Sequence, residues 1–223
     1  PGATHTRFSH SLGVLRAAQD LLDAVLEQRH APNPAQDLFM QWEEELDEHD
    51  RHKHVAEAIV LTRLGALLHD ICHVPYGHSI EDDIGILNPH DSNTQRFEVL
   101  WKQFDETLRN LISDELKSAL RPLILSKDKS STTQGPKDKP YAFVQDIVGN
   151  TICADLLDYL QRDHLYTGLP AKLGHRFIDG FYVTDSKHPV YPRHMVMRIC
   201  RSGRERADVM SELFKFLRYR YEL

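Results

Sequence analysis

The sequence predicts a mainly α fold with a small antiparallel β-hairpin near the C-terminus. Three observations carry this. Several long stretches repeat apolar residues at helical spacing. Two β-prone runs, 177–184 and 195–200, flank a turn region containing Pro189 and Pro192. The chain also has no internal repeat, and no run of about 18 apolar residues that could span a bilayer. A length of 223 residues, with 41% hydrophobic and 27% charged side chains, allows one sizeable core. The net charge of −6 argues against nucleic-acid binding over the whole surface, but leaves room for a local basic pocket.

The first helix is expected over residues 9–30, with Ser9 as its cap, Leu12, Leu15, Leu22, Val25 and Leu26 near helical spacing, and His10 in its first turn. A polar stretch, 31–36, interrupted by Pro32 and Pro34, separates it from a Glu-, Asp- and His-rich short helix over 43–54. Ile59, Leu64, Ala66, Leu67 and Leu68 form a further helix that delivers His69 and Asp70 from its last turn, before Pro75 and Gly77 break regularity. A long amphipathic pattern follows to Leu125, with a break expected before Pro122. Residues 126–140 have no periodic apolar face and read as a mobile surface loop. One helix is expected over 141–163, with Asp155, Tyr159 and Asp163 at four-residue spacing on a face of their own. The hairpin and a last helix over 204–223 complete the chain.

The densest chemistry lies in the decapeptide 69–78, where His69, Asp70, His73 and His78 fall within ten residues. Imidazole and carboxylate are ligands of borderline and hard divalent metals and are also groups of acid-base catalysis. A lone His at a helix end commonly only complements the dipole. Here the His-Asp pair follows a buried apolar run, and a buried carboxylate needs a partner. The cysteines, Cys72, Cys153 and Cys200, have neither metal-ligand nor disulfide-framework spacing, which suits a reducing, cytoplasmic setting. The chain starts at Pro1 without Met and reads as a fragment whose start does not exclude a removed targeting segment.

In order, Arg7-Phe-Ser-His10-Ser-Leu-Gly-Val, then Leu68-His69-Asp70-x-x-His73-x-Pro-Tyr-Gly-His78, then Ala154-Asp155-Leu-Leu-Asp-Tyr159-Leu-Gln-Arg-Asp163 resemble the HD-domain phosphohydrolases. Within them the motifs are most similar to the deoxynucleoside triphosphate (dNTP) triphosphohydrolase branch, and the likeness runs over nearly the whole chain. The resemblance implies an HD-domain helical bundle. Residues 1–168 would form the catalytic core, and 169–223 a hairpin and helix packed on it, truncated at the C-terminus. It implies that His10, His69, Asp70 and Asp155 bind one divalent metal: manganese, magnesium, zinc, iron or nickel. His73, His78 and His90 would line the phosphate end, with Glu81 setting the protonation of a catalytic His. Arg7 and Arg220 would contact phosphate, and Tyr159 and Asp163 the sugar. The implied reaction releases deoxynucleoside and inorganic triphosphate, and the implied partners are a dNTP, an activating nucleotide and further copies of the chain. A related nucleotidase or phosphodiesterase with a dinuclear site, and a non-enzymatic regulatory or nucleic-acid-binding module, are the alternatives. Cys72, Val74 and Gly77 depart from the usual loop, where Gly, Gly and Ser are common, and Leu156 replaces a phosphate-contacting Lys of the animal member. Asp91 stands where a Glu often follows the His.

Overall fold

The computed structural model describes residues 4–27, 48–125, 141–169, 174 and 176–222. The stretch 31–36, residues 28–30 and 43–47 of the expected helices, and the 126–140 loop lie outside the described residues. Helix α1 runs over Arg7–Glu27 and begins earlier than expected. The cap is Thr6, whose Oγ1 accepts the Ser9 N–H at 3.1 Å, so Ser9 is already inside the first turn. Val14, Ala18, Leu21, Leu22 and Val25 are buried along one stripe, and His10 stands one turn earlier on it. The imidazole is thereby carried into the interior by the face that builds the core.

Helix α2, Glu48–Leu68, replaces the two helices expected between 43 and 68. No Gly or Pro falls between Glu48 and Leu64 to end it, and Val55 and Ala58 extend its buried face backwards. His69 and Asp70 sit in the turn just past its end, not in its last turn. Helices α3, Thr94–Leu108, and α4, Asp114–Ile124, divide at 109–113, so the break expected before Pro122 falls earlier. Ser113 Oγ accepts the Leu116 N–H at 3.3 Å and Asp114 and Glu115 suit the positive end of α4. Pro122 occupies the last turn of α4, where burial of Leu120, Leu123 and Ile124 offsets its lost hydrogen bond.

The expected helix over 141–163 is two, α5 at Ala142–Gly149 and α6 at Ala154–Thr167. Asn150 makes the break: its amide donates to Asp146 Oδ1 at 2.7 Å while its Oδ1 accepts the Thr151 N–H at 2.6 Å. Strands β1, Phe181–Val183, and β2, Met195–Met197, pair antiparallel with Tyr182 opposite Val196. The buried carboxylate of Asp146 ties this hairpin to α5 by accepting from His194 Nδ1 at 2.8 Å and Met195 N–H at 2.9 Å. A second two-stranded sheet, β3 at Cys200–Arg201 and β4 at Arg204–Glu205, precedes α7, Ala207–Glu222.

One core gathers α1, α2, α5, α6 and the hairpin around Leu21, Phe143, Ile147, Leu160 and Phe177. Each such side chain contributes about 1.5–3 kcal/mol by leaving water. A smaller cluster of Leu68, Cys72, Phe97, Ile124 and Leu125 lies under the decapeptide and anchors it against α3 and α4. No helix among the described residues is long and apolar enough to cross a membrane.

Candidate metal centre and substrate cleft

Three elements converge on one point. His10 comes from the first turn of α1, His69 from the turn after α2, and Asp155 from the first turn of α6. One potential ligand atom from each lies within 4.8 Å of the others. His10 Nε2 stands 3.1 Å from Asp155 Oδ1, and His69 Nε2 stands 3.7 Å from the same oxygen. Asp70 adjoins them, with Oδ1 3.6 Å from His69 Nε2 and Oδ2 3.9 Å from His10 Nε2. Its partner in this structure is Arg7, whose Nη1 donates to Oδ2 at 2.9 Å.

The donor set fits a divalent ion. Nδ1 of His69 donates to the Ala66 carbonyl at 2.9 Å, which leaves the Nε2 lone pair facing the cluster. That Nε2 is buried without a hydrogen-bond partner among the described residues, and the nearest carboxylate oxygens are too distant to supply one. Burial opposes a charge on His10, but the carboxylates of Asp155 and Asp158 outweigh it and raise its pKa from 6.5 to about 9. Burial likewise opposes the charge of Asp155, yet His10 and His69 hold its pKa well below the usual carboxylate range. Without an ion, a proton on His10 balances the acidic cluster.

Beside the centre opens a cleft of about 650 Å³, one wall of which is formed by His73, His78 and His90. The rings of His73 and His90 stack at 4.2 Å, and His78 meets His73 edge-on at 4.9 Å. Arg7 Nη2 lies 3.3 Å from His73 Nε2, so the guanidinium bridges the acidic centre and the imidazole wall. His90 is the most firmly held of the three. Its Nδ1 donates to Glu81 Oε2 at 2.8 Å, its backbone N–H to the same oxygen at 3.0 Å, and Arg96 Nη1 donates to Oε1 at 3.2 Å. Burial opposes the charge of Glu81, but His90 and Arg96 outweigh it and hold the pKa at about 2 instead of 4.5. His78 is exposed and pairs with Asp82 at 2.9 Å.

The departure at Gly77 has a steric reason. A Cβ there would lie 2.1 Å from His73 Cε1, so the ring occupies the space a Ser would fill. Tyr76 turns the chain at φ 57°, a left-handed conformation uncommon for a side chain of its size, and its ring is exposed. Cys72 packs in the smaller core cluster, where burial pushes its thiol up to about 11.

The cleft is also lined by Tyr159 and Asp163 with His5, whose Nε2 is 3.3 Å from Asp163 Oδ1. The structure thus brings together Arg7, His10, Asp70, His73, His78, Glu81, His90, Asp155, Tyr159 and Asp163 along one cleft, with His69 beside His10 and Asp155. Arg220 is different. It lies exposed on α7 and outside the residues lining the cleft, although its charge acts on the Tyr159 hydroxyl.

Five further residues belong to the neighbourhood. His5, Asp82, Arg96 and Asp158 touch expected site residues, and Arg162 holds Asp158. Asp158 and Arg162 carry a legible signal, an acid and a base four residues apart on one helix. His5 sits two residues before Arg7 but has no pattern of its own, and Arg96 is brought in only by the packing of α3.

These geometries meet the comparisons with known proteins. The HD domain family matches residues 7–163, and the chain belongs to it. It is 29% identical over 175 residues to the deoxynucleoside triphosphate triphosphohydrolase SAMHD1 homolog of Dictyostelium discoideum, covering 75% of this chain and 28% of that protein. It is 28% identical over 168 residues to the uncharacterized protein YwfO of Bacillus subtilis (strain 168), covering 75% of this chain and 30% of that one. The chain therefore spans less than a third of the length of these two relatives. A hypothetical protein from Aquifex aeolicus shares the fold with a TM-score of 0.61 at 21% identity, over 98% of this chain and 46% of that one. A phosphohydrolase from Bacteroides thetaiotaomicron VPI-5482 does so at 0.59 and 22%, over 100% and 42%. The chain is an HD-domain protein with a His/Asp cluster suited to a divalent metal.

Proposed function

We propose that the chain hydrolyses deoxynucleoside triphosphates to deoxynucleoside and inorganic triphosphate. One observation carries the reading: a single cleft beside the metal-suited cluster is lined both by the histidines His73, His78 and His90 and by Tyr159 and Asp163. The likeness to a relative named as a dNTP triphosphohydrolase supports it. His10, His69, Asp70 and Asp155 would hold the ion, which supplies positive charge and Lewis acidity beside the α-phosphate. Arg7 is placed to exchange its carboxylate partner for phosphate oxygens, for which its planar fork is suited. Tyr159 and Asp163 would receive the sugar.

Water adds at the α-phosphorus, the bond to the 5′-oxygen breaks, and the proton needed by that oxygen comes from the imidazole wall. His90 is the best-prepared donor, because Glu81 fixes its ring through Nδ1 and leaves Nε2 free to face the cleft. His73 and His78 order the water and the phosphate chain. Arg220 would join from α7 only when substrate draws its long side chain inward. Residues 1–168 act as the catalytic core and 169–223 as a supporting element. An activating nucleotide, assembly of several copies and a cytoplasmic setting belong to the same reading.

A second reading rests on the proximity of His73, His78 and His90, whose ring centroids lie 4.2–5.7 Å apart and could hold a second ion. It makes the chain a nucleotidase or phosphodiesterase. Incubation of the full-length protein with each dNTP and manganese, with products separated by chromatography, decides between them. Deoxynucleoside with tripolyphosphate supports the first reading. Stepwise orthophosphate release or diester cleavage supports the second. A biological activity that survives His69→Ala and Asp70→Ala, without any hydrolysis, overturns both in favour of a non-enzymatic module.

A further inference from the structure

Behind His10, on the side away from the cleft, stands a part-buried ion pair that the proposed reaction does not use. Asp158 Oδ2 accepts from His10 Nδ1 at 2.8 Å. The same carboxylate is gripped by Arg162, with Nε donating to Oδ2 at 2.8 Å and Nη2 to Oδ1 at 2.7 Å. Asp158 and Arg162 are one turn apart on α6, the helix that also supplies Asp155 from its first turn. Their side chains are only 9% and 18% exposed, so this clamp is set into the structure and is no surface pair.

The approach of α1 to α6 leaves just enough room for it. Gly13 lies one turn after His10, and a Cβ added there would fall 1.7 Å from Asp158 Oδ1 and 2.3 Å from Arg162 Nη2. Any side chain at position 13 would have to displace this pair from its place behind His10. His10, Gly13, Asp158 and Arg162 therefore form one unit in which each position depends on the others.

We infer that Asp158, clamped by Arg162 and given clearance by Gly13, is a positioning residue that sets the ring orientation and tautomer of His10 for metal binding. An ionised carboxylate only accepts, so it fixes a proton on Nδ1 and turns the Nε2 lone pair towards His69 and Asp155. Arg162 holds Asp158 in place and keeps the carboxylate from swinging into the centre as a competing ligand. The inference rests on the metal reading of His10, His69, Asp70 and Asp155.

The test is manganese affinity, measured by titrating the metal-free full-length protein and following free Mn²⁺ by electron paramagnetic resonance. The wild type is expected to bind manganese at this centre, and His69→Ala to lose that binding. Asp158→Ala is expected to weaken it by roughly 10–100-fold. Arg162→Gln and Gly13→Ala should weaken it in the same direction. A double-mutant cycle separates positioning from general support: in a His10→Ala background, Asp158→Ala should have no further effect on affinity. Should Asp158→Ala not fold, Asp158→Leu keeps the volume without an acceptor and is read in the same way. A wild type that binds no manganese overturns the metal reading itself. A wild type that binds, with unchanged affinity in the Asp158 variant or fully additive losses in the cycle, overturns this inference alone.

Discussion

Replacing Glu81 by Gln tests how the imidazole wall is built. The carboxylate lies under the cleft floor and takes three hydrogen bonds, two from His90 and one from Arg96. Gln keeps the shape but removes the charge and cannot accept all three with the same strength. Holding a carboxyl at about 2 instead of 4.5 corresponds to about 3 kcal/mol of preference for the ionised form. Water in the adjoining cleft screens part of this, and about 2 kcal/mol is expected at pH 7. In a domain of this size that lowers Tm by about 4–8 °C. The folded pKa is depressed, so the stabilisation is complete above pH 4.5 and disappears as pH falls through about 2. The assay is thermal unfolding of wild type and Glu81→Gln from pH 7 to pH 3. The gap between them should narrow steadily below pH 4.5. Equal stability at pH 7, or a gap that does not change with pH, would refute the assignment of Glu81 as a charged buttress of His90.

Other outcomes follow from the same geometry. Gly77→Ser restores the residue common in the family but should lower turnover by about tenfold or more, because its Cβ displaces the His73 ring; steady-state kinetics with the fold checked by circular dichroism measures this. Metal binding should release a proton near neutral pH, because His10 is held at about 9, and affinity should rise about tenfold per pH unit up to that value; calorimetric titration in two buffers of different ionisation enthalpy reads the proton directly. In the metal-free chain the raised pKa of His10 contributes stability that is complete below pH 6.5 and lost as pH rises through about 9, which urea unfolding at pH 6 and pH 10 against His10→Gln detects. Leu160→Ala, at a fully buried position of α6, should cost about 2–5 kcal/mol in the same denaturation experiment.

Much of the architecture was legible because burial and periodicity coincide. The stripe of Val14, Ala18 and Leu21 places His10 inside, and the run ending at Leu68 places His69 beside it. The helix limits were less legible because local signals compete. Pro122 reads as a breaker, yet the caps at Ser113 and the burial of Leu123 decide where the helix lies. Asn150 divides α5 from α6 through side-chain bonds to Asp146 and Thr151 that no apolar pattern reveals. In the cleft, the motif histidines and carboxylates announce themselves by spacing, whereas Arg96 reaches Glu81 only through the packing of α3. At Gly77 the departure from the usual loop has no local signal, because its reason is the His73 ring that occupies the space a Cβ would take.

The most direct test of the proposed chemistry uses water labelled with ¹⁸O. The full-length protein with manganese and dGTP, under whatever nucleotide mixture activates it, should release deoxyguanosine and tripolyphosphate. Mass spectrometry should find the label in the tripolyphosphate and none in the nucleoside, and His69→Ala should release neither product. Label in orthophosphate or pyrophosphate, with a nucleoside mono- or diphosphate left behind, would contradict attack at the α-phosphorus.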